Sequence, residues 1–149
     1  MKLAFGCDHA AFEIKTDIIE YLRKSGHEVN DLGCNSAESC DYPDFGIAVA
    51  RAVSSGKCGK GILICGSGIG MSIAANKVKG VRAAVCWNEE TAKLSSEHNF
   101  ANVLCMGARF MDKELIKKCI DIWLKTPNSP VARHIQRIEK IMALEKDWK

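Results

Sequence analysis

The chain has 149 residues, of which 47 % are hydrophobic and 26 % are charged, and its formal net charge is +3. This length and composition predict one domain with its own apolar core, and the scattered basic residues argue against nucleic-acid binding. No apolar run approaches the ~20 residues of a membrane-spanning helix, and the first residues lack a secretory pattern, so we expect a cytoplasmic protein that binds neither membrane nor nucleic acid.

Strand and helix patterns alternate along the chain as far as residue 125. Residues 2–7 form an apolar run typical of a strand, and the helical periodicity of residues 10–25 ends at Gly26. The alternation predicts an α/β fold around a mainly parallel sheet of about five strands, covered by helices on both faces. The remaining predicted elements are strands at 27–33, 61–65, 81–86 and 102–107 and helices at 44–56, 71–77, 89–97 and 112–125.

The segment 126–149 departs from this alternation. Its "TPNSP" break predicts Ser129 as an N-cap and Pro130 at the first helical position, followed by an amphipathic helix over 131–147. The apolar stripe of this helix either packs on its own domain or exchanges onto a partner subunit, and the preceding linker favours exchange. We therefore predict a single domain, 1–149, in which 126–149 form a linker and an exchange helix.

Eight cysteines raise the alternatives of disulfides and metal binding. No CxxC pair occurs, and no set of cysteine and histidine residues has the spacing of zinc ligands. A cytoplasmic chain also keeps its thiols reduced. We therefore predict free, mostly buried thiols and no metal or other cofactor. Cys34 and Cys40, in a polar loop, have no explanation from the sequence.

Polar side chains follow three of the predicted strands. In an open parallel sheet, ligands bind at the carboxyl ends of the strands near the topological switch point. Because the carboxyl ends of parallel strands share one edge, a thiol, a carboxylate, an imidazole, a hydroxyl and a guanidinium are expected together. The strands end at Cys7-Asp8-His9, at Cys65-Gly66-Ser67-Gly68 and at Gly107-Ala108-Arg109.

The glycine loop after Cys65 matches none of the common phosphate motifs. Ser67 stands where a P-loop needs its lysine, and Met71 stands where the dinucleotide fingerprint needs its third glycine and a cysteine phosphatase needs arginine. Backbone N–H groups at a helix N-terminus remain, which suit a phosphate or a reaction oxyanion. A turn needed only for packing is the alternative. Beside such a terminus Cys65 is either a core residue or a thiolate that acts as nucleophile or base.

Other polar residues have both structural and functional interpretations. Asp8-His9 is a metal pair, a substrate clamp or a helix cap, and His98 is a surface residue or a site residue. Arg133 and Arg137 are four residues apart and share one helix face. They are either solvated or hold a doubly charged phosphate.

Six stretches that together span nearly the whole chain match a known set of motifs: "FGCDHAAFEIK", "DYPDF", "GILICGSGIGMSIAANK", "VRAAVC", "EHNFANVLCMGAR" and "RHIQRIE". They resemble the motifs of the type B ribose-5-phosphate isomerases, and also those of the subunits of galactose-6-phosphate isomerase. The resemblance implies a Rossmann-like three-layer sandwich, a homodimer that in some members pairs into tetramers, and metal-free interconversion of ribose 5-phosphate and ribulose 5-phosphate in the pentose phosphate pathway.

The resemblance also implies a role for each site residue. Cys65 would move a proton between carbons 1 and 2, and His98 would help to open the sugar ring, with Asp8 and Ser67 assisting. A branch of the family lacks this cysteine and uses a glutamate at the position of Met71, so the chain resembles the cysteine branch. The implied substrate-binding residues are Gly66, Gly68, Ile69, Gly70 and Ser72 as the anion hole, His9, Arg133 and Arg137 on the phosphate, and Tyr42, Asn99 and Arg109 along the sugar, some of them from the neighbouring subunit.

Three alternatives stay open at this point. The substrate could be a six-carbon sugar phosphate such as allose or galactose 6-phosphate, because pocket length depends on loop geometry. A non-catalytic nucleotide-binding module and a redox protein that uses Cys65 belong to different functional classes. The failed nucleotide motif argues against the first of these, and the lack of a CxxC partner argues against the second.

Overall fold

The computed structural model describes residues 1–148, in which five strands form one parallel sheet. The strands are β1 (Lys2–Cys7), β2 (Glu28–Asp31), β3 (Lys60–Cys65), β4 (Ala83–Val85) and β5 (Val103–Gly107). Their order is β2-β1-β3-β5-β4, and every neighbouring pair is parallel. The predicted α/β fold with about five strands is therefore confirmed.

The helices alternate with the strands as predicted and have the following bounds: a 3-10 turn at His9–Ala11, α1 (Phe12–Lys24), α2 (Tyr42–Ser54), α3 (Ile69–Ala75), α4 (Glu89–Glu97), α5 (Lys113–Lys125), α6 (Ala132–Ala143) and a 3-10 turn at Leu144–Asp147. None of the helices within residues 1–148 combines the length and the apolar character that a membrane crossing needs.

Alternate residues of the strands supply two cores, one on each face of the sheet. Phe5, Ile62 and Leu104 point to the face that contains Trp123 of α5. Their neighbours in sequence point to the opposite face, which α2 and α3 cover. This alternation is the period of two that a pleated strand imposes. Burial on both faces explains why β1, β3 and β5 are almost wholly apolar, whereas the edge strand β2 is mostly polar.

The strand register brings three loops to one edge of the sheet. Cys7 is level with Ile64, and Cys65 is level with Gly107. The chain passes from β1 outward to β2 and then returns to β3 on the other side of β1. The topological switch point thus lies between the carboxyl ends of β1 and β3, which is where ligands bind in open α/β sheets.

Helix α6 begins later than predicted. Its first residue is Ala132 and its N-cap is Val131, so the expectation of Ser129 as cap and Pro130 as first residue is wrong. The Ser129 hydroxyl instead accepts a hydrogen bond from the Val131 N–H at 3.2 Å and closes a turn before the helix. The Ser129 hydroxyl is therefore engaged in this turn and does not cap the helix.

One line of α6 packs on its own chain and the rest of its apolar stripe is exposed. His134 and Ile138 are buried, whereas Ile135, Ile141 and Leu144 remain 38 %, 46 % and 68 % exposed. The self-packing alternative therefore accounts for part of the stripe. Contact of the remainder with a partner subunit stays a prediction.

Candidate active site

A cavity of about 290 Å³ lies at the switch point, between the ends of β1, β3 and β5. It brings together eight predicted residues and two, Ala10 and Phe110, that the sequence analysis missed. The predicted residues that line it are Asp8, His9, Tyr42, Cys65, Gly66, Ser67, Gly70 and Arg109.

Cys65 lines this cavity and is the last residue of β3, where it is only 4 % exposed. Its sulfur accepts a hydrogen bond from the Gly68 N–H at 3.1 Å. Its carbonyl accepts one from Ala108 at 2.8 Å, which fixes the backbone against the end of β5. The sulfur therefore lies at the cavity beside a backbone donor, where it can exchange a proton with a bound ligand.

The loop after Cys65 needs glycine at two positions for reasons of space and conformation. Gly68 has φ +80°, and a Cβ there would lie 3.0 Å from the Met106 backbone. A Cβ at Gly70 would lie 2.5 Å from the Tyr42 ring. The loop is therefore packed closely between β5 and the Tyr42 ring. Close packing accounts for part of its glycine content, which is the structural interpretation that the sequence left open.

The same loop also presents free backbone donors to the cavity. The N–H groups of Ser67 and Gly70 have no acceptor among residues 1–148, and both residues line the cavity. An anion beside Cys65 would satisfy them.

Three other predicted loop residues, Gly68, Ile69 and Ser72, do not line the cavity. Ile69 is 56 % exposed and its N–H donates to the Ser67 hydroxyl. The Ser72 hydroxyl donates to the Ala83 carbonyl at 3.4 Å, and its N–H donates to Gly68. Of the residues that were predicted as the anion hole, Gly66 and Gly70 therefore line the cavity.

Asp8 and His9 enter the cavity from the end of β1. Asp8 is buried and accepts a hydrogen bond from the Ala10 N–H at 3.0 Å, so it caps the turn at His9–Ala11 as one of the sequence interpretations expected. His9 Nδ1 accepts from the Cys40 N–H at 3.3 Å. Because Nδ1 is an acceptor, a neutral His9 carries its proton on Nε2, which is then free to donate to a ligand.

Arg109 closes the cavity on the β5 side. Its backbone N–H donates to the Gly66 carbonyl at 3.1 Å, and its guanidinium lies about 3.2 Å from the position of a Cβ on Gly66. No carboxylate of residues 1–148 forms an ion pair with it. The cavity thus has an exposed cation on the wall next to Cys65.

Four predicted residues lie in a second group that does not line this cavity. The His98 ring packs on the ring of His134, with centroids 4.1 Å apart. Burial lowers the pKa of His134, and the neighbouring His98, Arg133 and Arg137 lower it further while Glu97 raises it, so these four residues lie close to the His134 ring. Asn99 lines a separate cavity beside Ile141 and Trp148. Arg133 and Arg137 are exposed on α6.

His134 and Cys40 were not predicted from the sequence as part of the site, although each contacts one of the candidates, His98 and His9 respectively. His134 directly follows Arg133 in the "RHIQR" motif. The helical pattern that singled out the two arginines could therefore also have identified His134. No signal in the sequence pairs Cys40 with His9, which is 31 residues away.

Within residues 1–148 no three His, Cys, Asp or Glu side chains converge as ligands for a metal ion. All eight cysteines are free thiols, and only Cys40 is not buried.

Known proteins share both the sequence and the fold of this chain. The family model described as Ribose/Galactose Isomerase matches residues 3–141. Ribose-5-phosphate isomerase B of Escherichia coli is 48 % identical over 97 % of each chain. The structure of ribose-5-phosphate isomerase B from Clostridium thermocellum superposes with a TM-score of 0.95 at 48 % identity and covers both chains fully. The enzyme from Mycoplasma genitalium, solved with bound ribulose 5-phosphate, has a TM-score of 0.93 at 42 % identity over 98 % of this chain and 97 % of its own.

Proposed function

The chain belongs to the Ribose/Galactose Isomerase family, and we propose that it interconverts D-ribose 5-phosphate and D-ribulose 5-phosphate through an enediolate. The observation that carries this proposal is Cys65 in the switch-point cavity, with an N–H donor 3.1 Å from its sulfur and free N–H groups beside it. Identity near half the sequence with relatives named for this reaction supports the choice of substrate.

Cys65 is the proton-transfer base in this proposal. Its thiolate takes the proton from carbon 2 of the open-chain aldose, and the electron pair of that bond forms the double bond between carbons 1 and 2 while the carbonyl electrons move to oxygen 1. The resulting thiol returns the proton to carbon 1, and the proton of hydroxyl 2 passes to oxygen 1, which leaves a ketone at carbon 2. Proton transfer by a positioned side chain contributes about 10²–10⁴ in rate.

The free N–H groups of Ser67 and Gly70 stabilise the enediolate oxygens, and the Arg109 guanidinium adds positive charge on the same side. These donors belong to a backbone that β5 and Tyr42 hold in place, so they need little reorganisation as charge develops. One such donor is worth roughly 10²–10³ in rate. This role replaces phosphate binding as the function of the glycine loop.

The residues that bind the substrate's phosphate and the residue that opens the sugar ring belong to the second group. Arg133 and Arg137 have no carboxylate partner within residues 1–148 and offer two guanidiniums to a dianion. His98, with Asp8 and Ser67 near the sugar oxygens, acts on the ring oxygen. Since His98, Arg133 and Arg137 do not line the Cys65 cavity of their own chain, a second copy supplies them and a homodimer is the active form. The exposed stripe of α6 suits that contact.

A six-carbon sugar phosphate is the second candidate substrate, because the family model covers galactose isomerases as well. Initial rates with ribose 5-phosphate, allose 6-phosphate and galactose 6-phosphate, all with EDTA present, compare the candidates through kcat/KM. We expect the highest value for ribose 5-phosphate, unaffected by EDTA. A higher value for either hexose phosphate would overturn the assignment, and loss of activity in EDTA would overturn the metal-free step.

Mixing two inactive variants tests the shared site. At a substrate concentration well below KM, we expect Cys65→Ala and Arg137→Ala homodimers to have little activity alone. Activity should return after co-refolding, because each heterodimer contains one intact site. As a matched control, refolding Cys65→Ala with Cys65→Ala should restore nothing. Absence of rescue in a demonstrated heterodimer would place all site residues in one chain.

A further inference from the structure

Two hydrogen bonds join the end of α4 to the linker that precedes α6. The Ser96 hydroxyl, which is fully buried, donates to the Thr126 carbonyl at 2.7 Å. The Ser129 N–H donates to the Glu97 carbonyl at 2.9 Å. These bonds hold the linker beside α4 and involve no histidine side chain.

His98 and His134 meet just beyond this junction. His98 is the C-cap of α4, where its N–H donates to the Leu94 carbonyl at 2.9 Å, and its side chain is half-buried. His134 lies in the first turn of α6 and is only 5 % exposed. The ring centroids are 4.1 Å apart and the ring planes are inclined by 39°. The His98 imidazole thus lies against the ring of a buried neighbour in the same chain.

The contribution of His134 at this junction is its ring rather than its polar atoms. Its Nδ1 is buried and has no hydrogen-bond partner among residues 1–148, and an unpaired buried polar atom costs about 1–3 kcal/mol. Such an atom in a folded protein calls for an explanation other than stability. Burial lowers the pKa of His134, so the ring that faces His98 is uncharged at neutral pH.

We propose that His134 is a positioning residue for ring opening, and that contact with its ring holds the His98 imidazole in the orientation that acts on the sugar's ring oxygen. This role rests on the proposed isomerase function, in which His98 is the ring-opening group. A general acid or base that is already held in the reactive geometry works faster than one that must find it. His134 acts through His98 and touches no reacting atom.

The place of His134 on α6 separates this role from phosphate binding. Arg133 and Arg137 are exposed, whereas His134 and Ile138 are buried, so the arginines and the histidine occupy different sides of the helix. Without the imidazole, α6 keeps Ile138 and the two linker bonds as anchors. Loss of the imidazole should therefore affect kcat, whereas loss of an arginine should affect KM.

A double-mutant cycle with ribose 5-phosphate tests whether His134 acts through His98. We expect His134→Ala to lower kcat about tenfold with KM nearly unchanged, and His98→Ala to lower kcat by about 10²-fold or more. Adding His134→Ala to His98→Ala should cause little further loss, because the side chain that it positions is gone. Losses that multiply in the double variant, or full kcat in His134→Ala, would overturn the proposal.

Two further variants serve as controls, and urea unfolding shows that each protein is folded under the assay conditions. His134→Phe keeps a flat ring against His98 and should retain most of the wild-type kcat. Gln136→Ala, which truncates an exposed side chain of the same helix, should match wild type in kcat and KM. A folded His134→Phe protein with a kcat as low as that of His134→Ala would overturn the role of the ring.

The NMR signals of the His98 ring test the contact without any assay of activity. The chain has four histidines, so the His98 signals are identified by their absence from the His98→Ala spectrum. Because an aromatic ring shifts the resonances of protons beside it, we expect these signals to move in His134→Ala and to stay in place in Gln136→Ala. Unchanged His98 signals in His134→Ala would overturn the contact. Wild-type protein without turnover of ribose 5-phosphate would instead report failure of the proposed function.

Discussion

Replacing Gly68 with alanine tests how tightly the catalytic loop is confined. Gly68 has φ +80°, and an added Cβ would meet Met106 backbone atoms at 3.0 to 3.1 Å. The left-handed conformation costs alanine ~1–2 kcal/mol, and overpacking against a backbone that cannot rotate away costs ~1–3 kcal/mol more. The free energy of unfolding should therefore fall by about 2–5 kcal/mol, a large share of a typical domain's stability.

Gly26→Ala is the matched control for that experiment. Gly26 has φ +85°, and nothing lies within 4 Å of its added Cβ, so only the conformational cost of ~1–2 kcal/mol applies. Urea unfolding of both variants, analysed with a common slope, separates the two contributions. Equal losses in the two variants would refute the argument that Met106 confines the loop.

The same pair of variants connects the loop to catalysis. Because the Gly68 N–H donates to the Cys65 sulfur, a shifted Gly68 weakens a bond to the base. We expect kcat of Gly68→Ala to fall by at least ~10-fold, since a hydrogen bond to a charged group is worth about 1.5–3 kcal/mol. Gly26→Ala should keep full kcat. Full activity in a folded Gly68→Ala protein would refute the role of this donor.

Two further predictions concern the second group of residues. Arg137→Ala should raise KM for the sugar phosphate by about 10–100-fold with little change in stability, because it removes a charge-assisted contact, whereas Lys140→Ala on the same helix should leave KM unchanged. For His134, the folded protein has a lowered pKa because of burial and the nearby cations, so protonation favours unfolding. Stability from this residue is present above its unfolded pKa of about 6.5 and is lost as the pH falls through the folded pKa. His134→Gln should flatten that part of the urea-midpoint profile, and an unchanged slope would contradict the assignment.

The sequence predicted a mainly parallel sheet, because strand and helix patterns alternate and the central strands are apolar on both faces. Runs such as residues 61–65 are buried on both sides of the sheet, and that pattern occurs when helices cover both faces. The starts of α2 and α6 were harder to predict, because capping depends on local turn geometry. Ser129 has the composition of a cap but closes a turn ahead of the helix.

The periodicity of the sequence could not predict that the site residues lie in two separate groups. Cys65 and Arg109 meet because Cys65 pairs with Gly107 across the sheet, and strand order decides that contact. His98 and His134 meet because α6 folds back beside the end of α4. The contacts of Cys40 depend on a loop without regular structure, which explains why the sequence offered no account of it.

The rate of ribulose 5-phosphate formation by Cys65→Ala tests the central claim most directly. Cys58→Ala serves as the control, because it removes an equally buried thiol far from the cavity. We predict that kcat of Cys65→Ala falls by about 10²–10⁴ or more while KM changes little, since the phosphate contacts are intact. A Cys65→Ala protein that retains the kcat of Cys58→Ala would contradict the assignment of Cys65 as the base.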